Sequence, residues 1–142
     1  MKIRGTDFVM YHVSDLDRAV AFYRDVLGLP LEVESKEYHW AEFNCGNVTL
    51  ALQATPHPLG VGCGCRIALA VEDIGAAYAE LTTKHAAVAQ APQDHGVCHA
   101  FDVRDPDGNL ILIHCRADGS FGQNTLGQMP VAEQHALSGR ND

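Results

Sequence analysis

The chain repeats itself, and the repeat limits the fold more than any other feature. Val13-Ser14-Asp15-Leu16 recurs as Val71-Glu72-Asp73-Ile74, and Gly46-Asn47-Val48-Thr49-Leu50 recurs as Gly108-Asn109-Leu110-Ile111-Leu112. The offsets, 58 (73 − 15) and 62 (108 − 46) residues, nearly agree, so the sequence reads as two copies of one unit. Each copy holds a helix for one face of a small sheet and nothing for the other. Two such units hide their open faces by curling them around a shared space, and a cavity is expected from the repeat itself.

The elements of each unit follow from side-chain periodicity. Phe8 to Val13 is apolar, β-branched or aromatic and reads as a strand. A helix follows, capped by Ser14 or Asp15, with Leu16, Ala19, Val20, Tyr23, Val26 and Leu27 on one stripe and a stop at Gly28 and Pro30. Leu31 to Ser35, Tyr38 to Asn44 and Val48 to Gln53 form a meander around Lys36-Glu37 and Cys45-Gly46-Asn47. After a Pro- and Gly-rich linker, 55–64, the order returns: strand Arg66 to Val71, a helix capped by Asp73, and a weaker strand Ala86 to Ala91. A hairpin of Val97 to Val103 and Asn109 to Cys115 then closes around Asp105-Pro106-Asp107-Gly108. The fold class is α+β, one domain over 1–116 built of two βαβββ repeats, about 7–54 and 65–116. Residues 117–142 form a polar tail.

Composition excludes several classes of partner. With 10 Lys+Arg against 18 Asp+Glu, the net charge of -8 works against nucleic acid and anionic membranes, neither of which is expected as a partner. No apolar run approaches the ~20 residues of a membrane span, and the first residues carry no apolar signal core, so a cytoplasmic location is expected. The odd count of 5 Cys fits reduced thiols rather than a disulfide framework. Cys63 and Cys65 stand in a glycine-rich loop without a second pair at zinc spacing, and read as small loop residues.

The run from Val13 through Leu29, with Asp15-Leu16-Asp17-Arg18-Ala19-Val20 and Phe22-Tyr23 at its centre, resembles the first strand-to-helix signature of the vicinal oxygen chelate superfamily. Asp105-Pro106-Asp107-Gly108-Asn109-Leu110-Ile111 resembles its last hairpin, and the likeness spans about Asp7 to Arg116. This superfamily contains glyoxalases, extradiol dioxygenases, fosfomycin-resistance enzymes and bleomycin-resistance proteins. The resemblance implies curved mixed sheets around a cup, often completed by a second copy, so a homodimer is expected, with the cup closed within one chain or across two. It also implies four metal-ligand corners, usually His, Gln or Glu. Here they fall on Phe8, on Leu50 (or Ala51 if the register slips by one), on Arg66, and on Leu112 in place of the family's Glu. Hydrocarbon side chains and a guanidinium lend no lone pair to a divalent ion, so neither a metal nor another cofactor is expected.

Strand alternation places Phe8, Met10 and His12, then Arg66, Ala68 and Ala70, then Leu110, Leu112 and His114 on the cup face. Apolar walls with one cation and two imidazoles suit a small organic molecule. Arg66 either holds a ligand's carboxylate or phosphate, pairs with an acid of the chain, or snorkels to the rim. His12 and His114 are candidate acid–base groups, or ordinary hydrogen-bonded strand residues. Tyr38 and Trp40 could stack on a planar ligand or simply pack. His95, Cys98, His99, His114 and Cys115 lie near one another along the last hairpin, though at no closed metal-site spacing.

The reading is therefore a binding protein of the bleomycin-resistance type, holding a small organic molecule, anionic where Arg66 anchors it, through Phe8, His12, Trp40, Leu50, Arg66, Leu112 and His114. One rival is a metal-independent lyase, isomerase or dioxygenase-related enzyme that uses His12 or His114 with Arg66. The other is a structural or interaction role, with the cup filled by its own side chains or by the tail.

Overall fold

The computed structural model describes residues 1–2, 7–55 and 66–121. The expected linker, with Cys63 and Cys65, and the tail beyond Phe121 lie outside the described residues. The first unit runs β1 (Phe8–Val13), α1 (Leu16–Ala21), β2 (Leu31–Ser35), β3 (Trp40–Asn44) and β4 (Thr49–Ala54). The second runs β5 (Ile67–Ala70), α2 (Ile74–Thr83), β6 (Ala87–Val88), β7 (Gln93–Asp94), β8 (Cys98–Arg104) and β9 (Leu110–Arg116). Each forms a mixed sheet whose first strand lies parallel to its last, in the orders β1-β4-β3-β2 and β5-β9-β8-β6, with β7 also on β8.

Both helices begin as the repeat requires. The carboxylate of Asp15 accepts the Arg18 N–H, and that of Asp73 accepts the Ala76 N–H, each at 2.9 Å. The first helix differs from expectation at its far end, where Phe22–Val26 forms a wider π-helical turn. The widening lets the adjacent Phe22 and Tyr23 both face inward. The weak strand of the second unit shrinks to Ala87–Val88, since its alanines offer little to a pleated surface.

Helix α1 covers β3 and β4, and α2 covers β6 and β9. The covered faces of both sheets merge into one core, with Tyr23, Phe43, Leu50, Phe101, Val103 and Ile111 fully enclosed. The halves are fastened to one another by polar groups. Tyr11 Oη donates to the Leu110 carbonyl at 2.9 Å and accepts from the Ile67 N–H. Tyr23 donates to Asp105, Asn109 Nδ2 donates to the His12 carbonyl at 3.0 Å, and Ser14 with Arg18 holds Asp107. No helix among the described residues is long and apolar enough to cross a membrane.

Candidate functional site

Opposite the shared core, each sheet leaves a face open. On the first sheet, pairing aligns Phe8, Met10 and His12 with Thr49, Ala51 and Gln53, and these with Trp40 and Glu42. Phe8 is 47% exposed, and its ring meets that of Trp40 edge to face, with centroids 5.6 Å apart and an interplanar angle of 85°. Phe8 pairs with Thr49 and Trp40 with Gln53, several residues along β4, so the rings meet because the sheet coils with this face inside. The indole N–H donates to Glu42 at 2.8 Å, which fixes the ring. Tyr38 does not join this surface: His39 adopts φ 52°, β3 starts only at Trp40, and Tyr38 stays on the exposed turn.

Leu50 is expected at a corner of the cup, but the structure puts it in the core. It pairs with Val9 and Phe43, is 0% exposed, and belongs to the helix-covered cluster. The cause is the glycine's place in each hairpin loop. Two residues, 47–48, separate Gly46 from Thr49, the partner of Asn44, whereas one, 109, separates Gly108 from Leu110, the partner of Arg104. Counting equal steps from Gly46 and Gly108 therefore lands on opposite faces, because a one-residue slip turns every side chain over. Ala51 occupies the corner instead.

On the second sheet the open face carries Ala68 and Ala70 from β5, Leu110, Leu112 and His114 from β9, and Ala100 and Asp102 from β8. Arg66, immediately before β5, reaches across β9 to Asp102 on β8. Its Nη1 donates to both carboxylate oxygens, at 2.7 and 2.8 Å. Of the three roles open to Arg66, the structure shows the second, a pair with an acid of the chain. Asp102 was missed by sequence reasoning. Its signal was present, an acid on the face shared with Ala100 and opposite to Phe101 and Val103.

The two imidazoles lie on different sheets. His12 has a buried Nδ1 with no hydrogen-bond partner, while His114 pairs across strands with Ala70 and Ala100. His114 also borders a cleft of about 1110 Å³ between the units, lined by Cys45, Val48, Ala70, Val71 and Cys115. Burial pushes the Cys45 thiol up, which keeps it protonated and poorly nucleophilic. The surface metal group considered for the last hairpin does not assemble. Cys98 pairs with Arg116 and His99 with Cys115, so the two sets point to opposite faces. Among the described residues no three of His, Cys, Asp and Glu gather to hold a metal.

With this register, the four positions that the family resemblance would assign to metal ligands are Phe8, Ala51, Arg66 and Leu112. Two hydrocarbon chains, a methyl and an ion-paired guanidinium do not fit a divalent ion.

Two curved mixed sheets, each with its first strand parallel to its last, and the Asp-Pro-Asp-Gly hairpin define the class. The chain belongs to the Glyoxalase/Bleomycin resistance protein/Dioxygenase superfamily, whose family model matches residues 5–113. It is 32% identical over 119 residues to a probable lactoylglutathione lyase of Synechocystis sp., covering 73% of this chain and 89% of that one. Among solved structures it is similar to TnmS3, an antibiotic binding protein from Streptomyces sp. CB03234, at 27% identity and a TM-score of 0.69, covering 82% and 99% of the two chains. A lactoylglutathione lyase from Agrobacterium tumefaciens shares the fold, with 20% identity, a TM-score of 0.68, and coverage of 85% and 100%.

Proposed function

We propose that this chain is a metal-independent binding protein for a small organic molecule, held on the open sheet faces, and that two copies pair to complete the cup. The observation that carries the reading is the donor set at the four corners. Phe8, Ala51 and Leu112 offer no lone pair, and Arg66 offers only hydrogens. Pairing of two copies is supported by the apolar residues left on those faces, with Phe8 and Val33 among the exposed large side chains and Ala68 and Ala70 exposed beside Leu112. The antibiotic-binding relative TnmS3 has the same architecture. The lyase reading, suggested by the Synechocystis relative, would require the metal donors that these corners lack. A metal-free enzyme would have to use Arg66 through Nε and Nη2, because Asp102 holds Nη1.

Protein purified without an affinity tag, dialysed and submitted to elemental analysis should carry far less than one equivalent of nickel, iron, zinc or manganese. Sedimentation should give twice the 15.4 kDa chain mass. A full equivalent of metal, placed by anomalous scattering among Phe8, Ala51, Arg66 and Leu112, would overturn the reading.

A further inference from the structure

We propose that Arg66 and Arg104 together hold the carboxylate of an organic acid above Leu110, on the open face of the second sheet. The proposal rests on reading the open faces as a metal-independent ligand site, and it names the ligand's chemistry.

Every group in the argument lies on one face of one sheet. Arg104 pairs directly with Leu110. Tyr11 Oη accepts the Ile67 N–H and donates to the Leu110 carbonyl, which holds the start of β5 level with the same residue. Arg66, Leu110 and Arg104 therefore form a row across β5, β9 and β8, and the next row inward is Ala68, Leu112 and Asp102. Neighbouring strands lie about 4.8 Å apart, so the two arginine stems stand about 10 Å from one another with Leu110 between them.

The hydrogen bonds leave this row open. Both oxygens of Asp102 take Arg66 Nη1, at 2.7 and 2.8 Å, so among the described residues the Nε and Nη2 hydrogens of Arg66 meet no acceptor. That edge of the guanidinium is the fork that matches the two oxygens of a carboxylate. Arg104 makes no ion pair among the described residues, and its Nη1 donates at 3.4 Å to a neutral acceptor, the Gly108 carbonyl.

Charge points the same way. Arg66, Arg104 and Asp102 leave one positive charge in excess at this end of the face, although the chain as a whole carries -8. His114 lies two rows from Leu110, and Arg116 stands at the opposite end, where it donates to Ser120. A carboxylate above Leu110 would complete a ring of alternating sign with Arg66, Asp102 and Arg104. An excess of one charge suits a monocarboxylate, whereas a phosphate dianion would reverse it. Leu110 and Leu112, both partly buried, and the exposed Ala68 give the body of the acid an apolar floor.

The test compares 2-naphthoate with the neutral, similarly shaped 2-naphthamide by equilibrium dialysis at fixed ionic strength. The native protein should bind the carboxylate at least about tenfold more tightly than the amide. Arg104→Met should remove most of that preference and leave amide binding within about twofold. Asp102→Asn, which removes the competing carboxylate at nearly constant shape, should raise the preference at least about threefold, and it carries the test if Arg104→Met does not fold. Equal or tighter binding of the amide by the native protein, or an unchanged preference in either variant, would overturn the proposal. So would failure of both probes to bind, an outcome that leaves the elemental analysis, and with it the metal-free reading, untouched.

Discussion

Replacing Tyr23 with phenylalanine measures how strongly polar contacts fasten the two halves. Tyr23 is fully enclosed, and its hydroxyl donates to Asp105 at 3.0 Å. Asp105 is 4% exposed and accepts three further bonds, from the Asp107 N–H and from the backbone and side-chain nitrogens of Asn109. A hydrogen bond to a charged group contributes about 1.5–3 kcal/mol, and the substitution removes the hydroxyl without opening a cavity. At pH 8 the Tyr23→Phe variant should therefore be less stable by about that amount.

The dependence on pH makes the test sharper. Burial, then the Asp105 carboxylate, pushes the Tyr23 phenol far above its ordinary value near 10.0. The folded state then keeps a proton that the unfolded chain loses, so the contribution is complete below about pH 10 and declines above it, by roughly 1.4 kcal/mol per pH unit. The Tyr23→Phe variant has no such proton. Urea unfolding followed by circular dichroism from pH 8 to 11.5 should show the native protein's advantage shrinking above pH 10, and vanishing between about pH 11 and 12. Parallel stability curves for the two proteins above pH 10, or a cost under about 0.5 kcal/mol at pH 8, would refute the argument.

Two further substitutions test the placement of residues. Leu50→Ala should cost about 2–5 kcal/mol in urea titration, as deletion from a closed core does, whereas Leu112→Ala on the open face should cost clearly less; equal costs would contradict the assigned faces. Asp73→Ala removes the carboxylate that accepts the Ala76 N–H and should lower stability by about 0.5–2 kcal/mol, with Asp73→Asn recovering most of it; no recovery would mean the cap is not the cause.

The elements were legible because their signals are local. Asp15 and Asp73 announce helix starts by their side-chain chemistry, and alternating apolar residues in β1, β4, β8 and β9 mark strands within a residue or two of where they lie. The faces of β1, β5 and β9 were legible for the same reason. Leu50 was not, because its facing depends on Gly46 standing one residue farther from its strand than Gly108 does, which equal glycine counting hides. The state of Arg66 could not be read either, since its partner is 36 residues away and on a strand that is not its neighbour. Long-range pairing of this kind leaves no periodic trace.

Duplication should give two equivalent joints between the halves, yet the polar side chains of one joint have different counterparts in the other. By strand register and helix cap, the counterparts of Tyr11, Tyr23, Asp105 and Asn109 are Leu69, Leu81, Cys45 and Val48. None of the four can repeat the side-chain hydrogen bonds seen on the other side. A hydrogen-bonded joint fixes distance and angle, whereas apolar contacts tolerate sliding. The cleft beside Cys45 and Val48 opens on this second side, where these four counterpart side chains are apolar or a thiol. The copies differ on the open faces as well: Phe8 and Arg66 are repeat-related positions with no side-chain chemistry in common. Both differences are of one kind: the two copies keep the same strand pairing while the side chains at matched positions differ in chemistry.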